Sequence, residues 1–334
     1  MGGIWVRKVG SRVNPNSKAI TYIPNMRKVI GVGETILDII FKNNRPHAAV
    51  PGGSVFNGLI SLGRLGVPVS FISEVGNDKV GDIILDFMRE NHLATDYIDR
   101  FPDGKSPVSL AFLNEESNAH YIFYKDYPKQ RLDVPLPVIR ENDIFVFGSY
   151  YSLNPALRER MVEFLEYARE RKAIIYYDPN FRKAHIHEAI RLLPTVLENF
   201  EYADIIRGSD EDFFNLFGNG DMEKVYRDHV RFYCKRFIST HGAQGVNVFT
   251  DRARFHFDSP AFEPVSTIGA GDNFNAGIIF GLLKYNIGYD DLASLSENAW
   301  EKIVRCGTDL AAEVCRSYDN YISGTFAASY TKLS

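Results

Sequence analysis

Cysteine is nearly absent: Cys234, Cys306 and Cys315 are the only three in 334 residues, and no Cys-x-x-Cys spacing occurs. That excludes a disulfide framework and a four-cysteine zinc site, and it points to a reducing, cytoplasmic setting. No apolar stretch approaches the ~20 residues that span a bilayer, so no membrane partner is expected. A basic excess is missing too. The 38 Lys and Arg face 42 Asp and Glu, net −4, which argues against a dedicated nucleic-acid binder. Internal repeats and low-complexity tracts are lacking, and 45% apolar content excludes wholesale disorder. What remains is a globular protein that handles a small molecule, with the length of two domains or of one large α/β domain plus an appendage.

The N-terminal segment lacks an apolar core of its own. Met1–Asn25 scatters Arg7, Lys8, Arg12 and Lys18 among Gly, Ser, Asn and Pro, without the apolar region of a secretory signal. Residues 1–27 read as a poorly ordered extension, with Met26 as an alternative start, and residues 28–334 as the folded part. From there, short apolar runs alternate with helical patterns. Lys28–Gly31, Val69–Ser73, Ile144–Gly148, Ala173–Asp178, Ile205–Arg207 and Phe237–Thr240 are apolar throughout, as buried parallel strands are. Ser54–Leu65, Lys79–Glu90 and Ala156–Arg171 carry apolar residues at three- and four-residue spacing. This alternation predicts an α/β fold: an open, mostly parallel sheet with helices on both faces. Val108–Leu113 and Ala119–Tyr124 break the pattern as a hairpin around Asn114–Asn118. With the extended, polar run Phe41–Val50 they predict a small β-sheet beside the main one, with strands near 41–50 and 106–125.

Three segments carry candidate chemistry. In Ser266-Thr267-Ile268-Gly269-Ala270-Gly271-Asp272, small residues open an apolar helix, and the N–H groups of a helix start make an anion site. A carboxylate facing a polyphosphate is unfavourable unless it accepts the proton of an attacking hydroxyl, which makes Asp272 a candidate base. A plain capped helix with Asp272 as the cap is the alternative. In Pro51-Gly52-Gly53-Ser54-Val55-Phe56-Asn57, glycines expose backbone to a polyol and Asn57 offers donor and acceptor together, against the alternative of a solvated loop. In Gly33-Glu34-Thr35-Ile36-Leu37-Asp38, taken as the end of the first strand, an acid among apolar neighbours calls for partners such as sugar hydroxyls. Gly31 and Gly33 do not open a dinucleotide fingerprint, because Ile36 stands where the third glycine belongs. No Walker A sequence occurs.

Joined in this order, Gly-Gly-x-x-x-Asn with a following Arg-Leu-Gly, and the later Thr-x-Gly-Ala-Gly-Asp-x-Phe-x-Ala-Gly, resemble the two signatures of the ribokinase-like (PfkB) carbohydrate kinases. Asp178-Pro179-Asn180-Phe181-Arg182 and Thr240-His241-Gly242-Ala243-Gln244-Gly245 extend the similarity over 28–326, and the fructokinase branch is the most similar. The resemblance implies a ribokinase-like sheet with a β lid over a sugar. It implies Asp272 as base and the N–H groups of Gly269, Ala270 and Gly271 as anion hole. Asp38, Gly52, Gly53, Asn57 and Arg182 would then lie at the sugar, and Ser209, Thr240, Gly242, Gly245 and Thr267 at the nucleotide. ATP with Mg²⁺ would be the donor, Asp212 would reach the metal through water, and lid strands would pair in a homodimer. Three departures stand out: Ser266 where the family has Asp beside a K⁺ site, which leaves potassium dependence open; Ser209 and Asp212 in place of Asn and Glu; and Lys125 where Arg is common.

The expected function is ATP-dependent phosphorylation of a primary sugar hydroxyl, most similar to that of fructokinases. The alternatives are a 2-keto-3-deoxygluconate kinase, with Arg182 against the carboxylate, and a silent sugar- or nucleotide-binding sensor. His185 and His187 read as solvated, Ser209–Asp212 as a capped helix start, the cysteines as packing residues, and Tyr318, Tyr321 and Phe326 as packing or a subunit contact.

Overall fold

The computed structural model describes residues 27–113 and 119–332. The expected N-terminal extension and the turn 114–118 therefore lie outside the described residues, apart from Arg27. The strands are β1 (Val29–Val32), β2 (Ile36–Lys42), β3 (Arg45–Gly52), β4 (Val69–Gly76), β5 (Leu93–Ala94), β6 (Ile98–Phe101) and β7 (Lys105–Leu113). They continue with β8 (Ala119–Asp126), β9 (Ile144–Gly148), β10 (Ile174–Asp178), β11 (Ile205–Ser209), β12 (Phe237–Thr240), β13 (Val246–Phe249) and β14 (Arg254–Phe257). The helices are α1 (Ser54–Arg64), α2 (Lys79–Glu90), α3 (Arg158–Glu170), α4 (Ala189–Tyr202), α5 (Asp210–Phe217), α6 (Met222–Val225), α7 (Ala270–Lys284), α8 (Glu297–Val314) and α9 (Gly324–Tyr330).

The main sheet runs β14-β13-β12-β11-β10-β9-β1-β4-β5, with β6 also on β4. Its centre is parallel, and β13 and β14 return antiparallel at one edge. Side chains alternate across a strand, and both faces here are buried. Val29 joins the core under α1, α2, α7 and α8, while Ile30 and Val32 join the core under α3, α4 and α5. That explains why these strands read as unbroken apolar runs. From β1 the chain first builds outward through β4, then crosses back to β9 and continues the other way. The crevice at the carboxyl ends beside β1 is thus the topological switch point, where open α/β sheets bind ligands.

A second sheet, β3-β2-β7-β8, rises from the end of β1. The run expected as one extended piece at 41–50 is a hairpin. Asn43 and Asn44 both adopt positive φ, 53° and 58°, as a two-residue primed turn requires, and they pair Lys42 with Arg45. Asp38, expected at the end of the first strand, therefore lies inside β2, opposite Val50 and Ser109. The helix under the site owes its position to glycine. A Cβ on Gly277 would stand 2.2 Å from the Cys306 carbonyl oxygen, and one on Gly58 2.8 Å from that of Asp272, so α8 and α1 press directly on α7.

Candidate active site

The first turn of α7 is held from two sides. Its N-cap, Gly269, has φ 76° and no side chain to satisfy the first-turn N–H groups, which leaves the helix dipole open to an anion. Asn273, fully buried, donates through Nδ2 to the carbonyls of Gly269 and Asn320, both at 2.8 Å, and its Oδ1 accepts from Ser61. Asp272 lies inside the helix and is not its cap. One carboxylate oxygen accepts from Ser54 Oγ at 2.8 Å and the other from Asn57 Nδ2 at 2.8 Å. Burial pushes the Asp272 carboxyl up to about 6; the bonds from Asn57 and Ser54 and the charge of Arg182 oppose the shift, and Asp178 adds to it. The amide oxygen of Asn57 is buried and has no partner among the described residues.

Asp38 accepts from Ser109 Oγ, and a Cβ on Gly52 would come within 2.8 Å of its Oδ2. Burial raises the Asp38 carboxyl, and the nearby Glu34 adds to the effect. Gly53 has φ 140°, and a Cβ there would meet the Glu34 carbonyl oxygen at 2.2 Å, so only glycine fits between β1 and α1. Arg182 is exposed beyond the end of β10, where its charge reaches both Asp272 and Tyr121 of β8. Thr267 is exposed just ahead of Gly269. Gly242 (φ 55°) and Gly245 (φ 99°) shape the turn after β12, and a side chain on Gly245 would strike the Phe257 carbonyl oxygen.

Ser209 and Asp212 form the capped helix start that the sequence suggested. Ser209 and Asp212 close a capping box on α5: the Ser209 hydroxyl caps the Asp212 N–H at 3.1 Å, and the Asp212 carboxylate accepts from the Ser209 N–H at 2.8 Å and its hydroxyl at 2.6 Å. Asp212 thus caps α5 through one carboxylate oxygen, and among the described residues there is no cluster of three or more His, Cys, Asp or Glu that could hold a metal ion. Thr240 Oγ1 accepts from Arg207 Nη2 at 2.7 Å. His185, expected to be solvated, stacks on Tyr150 with ring centroids 4.1 Å apart.

Sequence reasoning singled out Glu34 and Lys125 without a role for either, and it missed Glu74, Tyr127, Arg131 and Arg207. Glu34 gathers Tyr127 Oη at 2.7 Å and Lys125 Nζ at 2.7 Å, tying β8 and the segment after it to the end of β1. Arg131 lies 3.7 Å from the Tyr127 ring centroid and pairs with the buried Glu74, which also accepts from Tyr151. Arg207 pairs with Asp178, whose Oδ2 accepts from Asn275 Nδ2 at 2.6 Å. The Asp-Pro-Asn run pointed to Asp178, but a single arginine in an apolar strand gave no signal.

A buried carboxylate beside an open helix N-terminus, at the switch point and near a second sheet, is an arrangement suited to phosphoryl transfer. The model of the pfkB family carbohydrate kinases matches residues 26–324. The chain belongs to that family. It is accordingly a sugar kinase. It is 28% identical over 283 residues to a fructokinase of Rhizobium leguminosarum bv. trifolii, covering 81% of this chain and 85% of that one. A double mutant of Vibrio cholerae fructokinase, solved with fructose, ADP and potassium, has the same fold, with TM-score 0.77 and 19% identity over 92% of this chain and 99% of that one. The same enzyme with fructose, ADP and calcium gives TM-score 0.75 at 20% identity, again over 92% and 99%. No helix among the described residues is long and apolar enough to cross a membrane.

Proposed function

We propose that this sugar kinase transfers the γ-phosphoryl group of ATP, delivered with Mg²⁺, to a primary hydroxyl of fructose or a closely similar sugar. The observation that carries the reading is Asp272, buried at the glycine-capped start of α7 and held by Ser54 and Asn57. Asp272 takes the proton of the sugar hydroxyl as that oxygen attacks the γ-phosphorus, the bond from γ-phosphorus to the β–γ bridging oxygen breaks, and ADP leaves. The N–H groups of Gly269, Ala270 and Gly271 receive the charge on the transferring group. Asp38, Asn57 and the backbone of Gly52 and Gly53 bind the sugar, with Arg182 at the mouth. Thr240, Gly242, Gly245, Ser209 and Thr267 border the nucleotide. The divalent ion would enter with the nucleotide phosphates, and Asp212, bonded through one carboxylate oxygen only, would reach it through water.

Fructose is favoured over an acidic sugar by charge. Lys125 on β8 is already paired with Glu34, so this cation is not offered to a substrate carboxylate beside Arg182. The outer lid strand leaves Phe123 and Tyr124 more than half exposed, which supports pairing of two lids in a homodimer. The test is ADP release with ATP and Mg²⁺ against hexoses, pentoses and sugar acids. Fructose-dependent turnover is expected. Preference for 2-keto-3-deoxygluconate would move the assignment, and silence with retained thermal stabilisation by ATP would favour a sensor.

A further inference from the structure

Arg207 is a charge where the surrounding strand has none. It is the third residue of β11, Ile-Ile-Arg-Gly-Ser, in the middle of the sheet, and only 6% exposed. A guanidinium is taken out of water at such a place only against well-formed partners. Nη1 donates to Asp178 Oδ2 at 2.9 Å on β10, and Nη2 donates to Thr240 Oγ1 at 2.7 Å on β12. Nε is buried without a partner among the described residues. The plane lies against the first turn of α7: a Cβ on Gly271 would stand 3.0 Å from Nη1, 3.4 Å from Nη2 and 3.6 Å from Cζ. The lack of a side chain at Gly271 is thus explained from beneath as well as from the anion side.

Asp178, the partner of Arg207, shares the floor of one cleft with Asp272, Ser54 and Asn275. Asn275 bonds Asp178 at 2.6 Å and is itself fixed by Tyr176 Oη at 2.9 Å. We propose that Arg207 is a positioning residue that acts through Asp178 and Gly271: one guanidinium holds the anion loop, neutralises the carboxylate that faces Asp272, and links both to the Thr240 side of the crevice. This rests on the reading of Asp272 as the base. The groups facing Asp272 are Ser54 and Asn57 from α1, Arg182 beyond β10, and Asp178 on β10. Those facing Asp178 are Arg207, Asn275, the Asn180 N–H, Tyr176 and Tyr177 of its own strand, and the capping carboxylate Asp212. Without Arg207, the charge of Asp178 is uncompensated and favours the protonated, inactive form of Asp272. Without the charge of Asp178, the opposite holds.

The experiment compares R207M, R207K and D178N with the wild type in the pH dependence of kcat and kcat/KM, with circular dichroism and thermal scans as the check of folding. In R207M, kcat is expected to fall by about 100-fold with the sugar KM within about threefold, and the acid limb to move up. R207K keeps the charge but not the planar fork, so the limb should return towards its wild-type place while kcat stays about tenfold low. In D178N the limb moves down. A folded R207M whose acid limb stays in place overturns the proposal whatever happens to kcat. If R207M does not fold, the nearly isosteric D178N decides, and an unmoved limb there overturns it equally. Failure of the base itself shows differently: D272N would retain turnover. An inactive D272N beside an unmoved R207M limb rejects the role of Arg207 alone.

Discussion

Replacing Asp272 by Asn should stabilise the protein while removing its activity. The carboxyl is pushed from 3.8 to about 6 by burial, so the folded state binds its proton more tightly than the unfolded chain does. The favourable contribution is complete below pH 3.8 and is lost as pH rises through about 6. Above that, the folded protein carries an ionised carboxylate at a penalty of about 3 kcal/mol, at ~1.4 kcal/mol per pH unit. Asn is nearly isosteric. Its Oδ1 can accept from Asn57 Nδ2, and its amide can donate to Ser54 Oγ, a hydroxyl that turns to accept. At pH 8 the melting temperature of D272N should therefore exceed that of the wild type by about 6 °C, at ~2 °C per kcal/mol for a large domain. The gain should shrink to nothing as the scan pH falls towards 4. Matched thermal scans of the two proteins across that range decide the matter. A D272N variant less stable than wild type at pH 8, or a gain that does not depend on pH, would refute the burial argument.

Asn57→Ala removes a donor to ionised Asp272 and should shift the acid limb of kcat/KM upward, read from pH–rate profiles. R131M leaves Glu74 buried without its counter-charge and should lower stability by about 3–5 kcal/mol in urea titration. Gly53→Ala forces φ 140° and a 2.2 Å clash on the Glu34 carbonyl, so sugar KM should rise and the melting temperature fall together. Ser266 places a hydroxyl, bonded to the Ile268 N–H at 3.2 Å, where the resemblance calls for a carboxylate. Turnover in KCl, NaCl and choline chloride should then agree within about twofold, with no monovalent-cation requirement.

The parts of the crevice that were legible in the sequence are those written in backbone requirements. Gly52, Gly53, Gly269 and Gly271 announce close approaches, and each stands against a carbonyl, a carboxylate or a guanidinium that a Cβ would crowd. The parallel strands were legible because both faces are buried. Their ends were not, and β4 runs three residues beyond the expected Ser73. The β2–β3 hairpin escaped notice although Asn43-Asn44 is a two-residue turn signal, because the polar, His- and Pro-containing strand after it has no alternation to read. Arg207 and Glu74 were invisible for a different reason. A buried charge is recognised by its partner, and these partners stand 29 and 57 residues away. Asp212 shows the converse: Ser-x-x-Asp before an apolar run is a capping signal, and the cap is what the residue forms.

The most direct test of the central claim is a single-turnover measurement with excess enzyme, ATP·Mg²⁺ and fructose, comparing wild type with D272N by rapid quench. The wild type should form fructose phosphate and ADP together in one fast phase. D272N, folded and still stabilised by ATP, should form product more slowly by about 1000-fold or more. Product formed at the wild-type rate by D272N would contradict the assignment of Asp272 as the base.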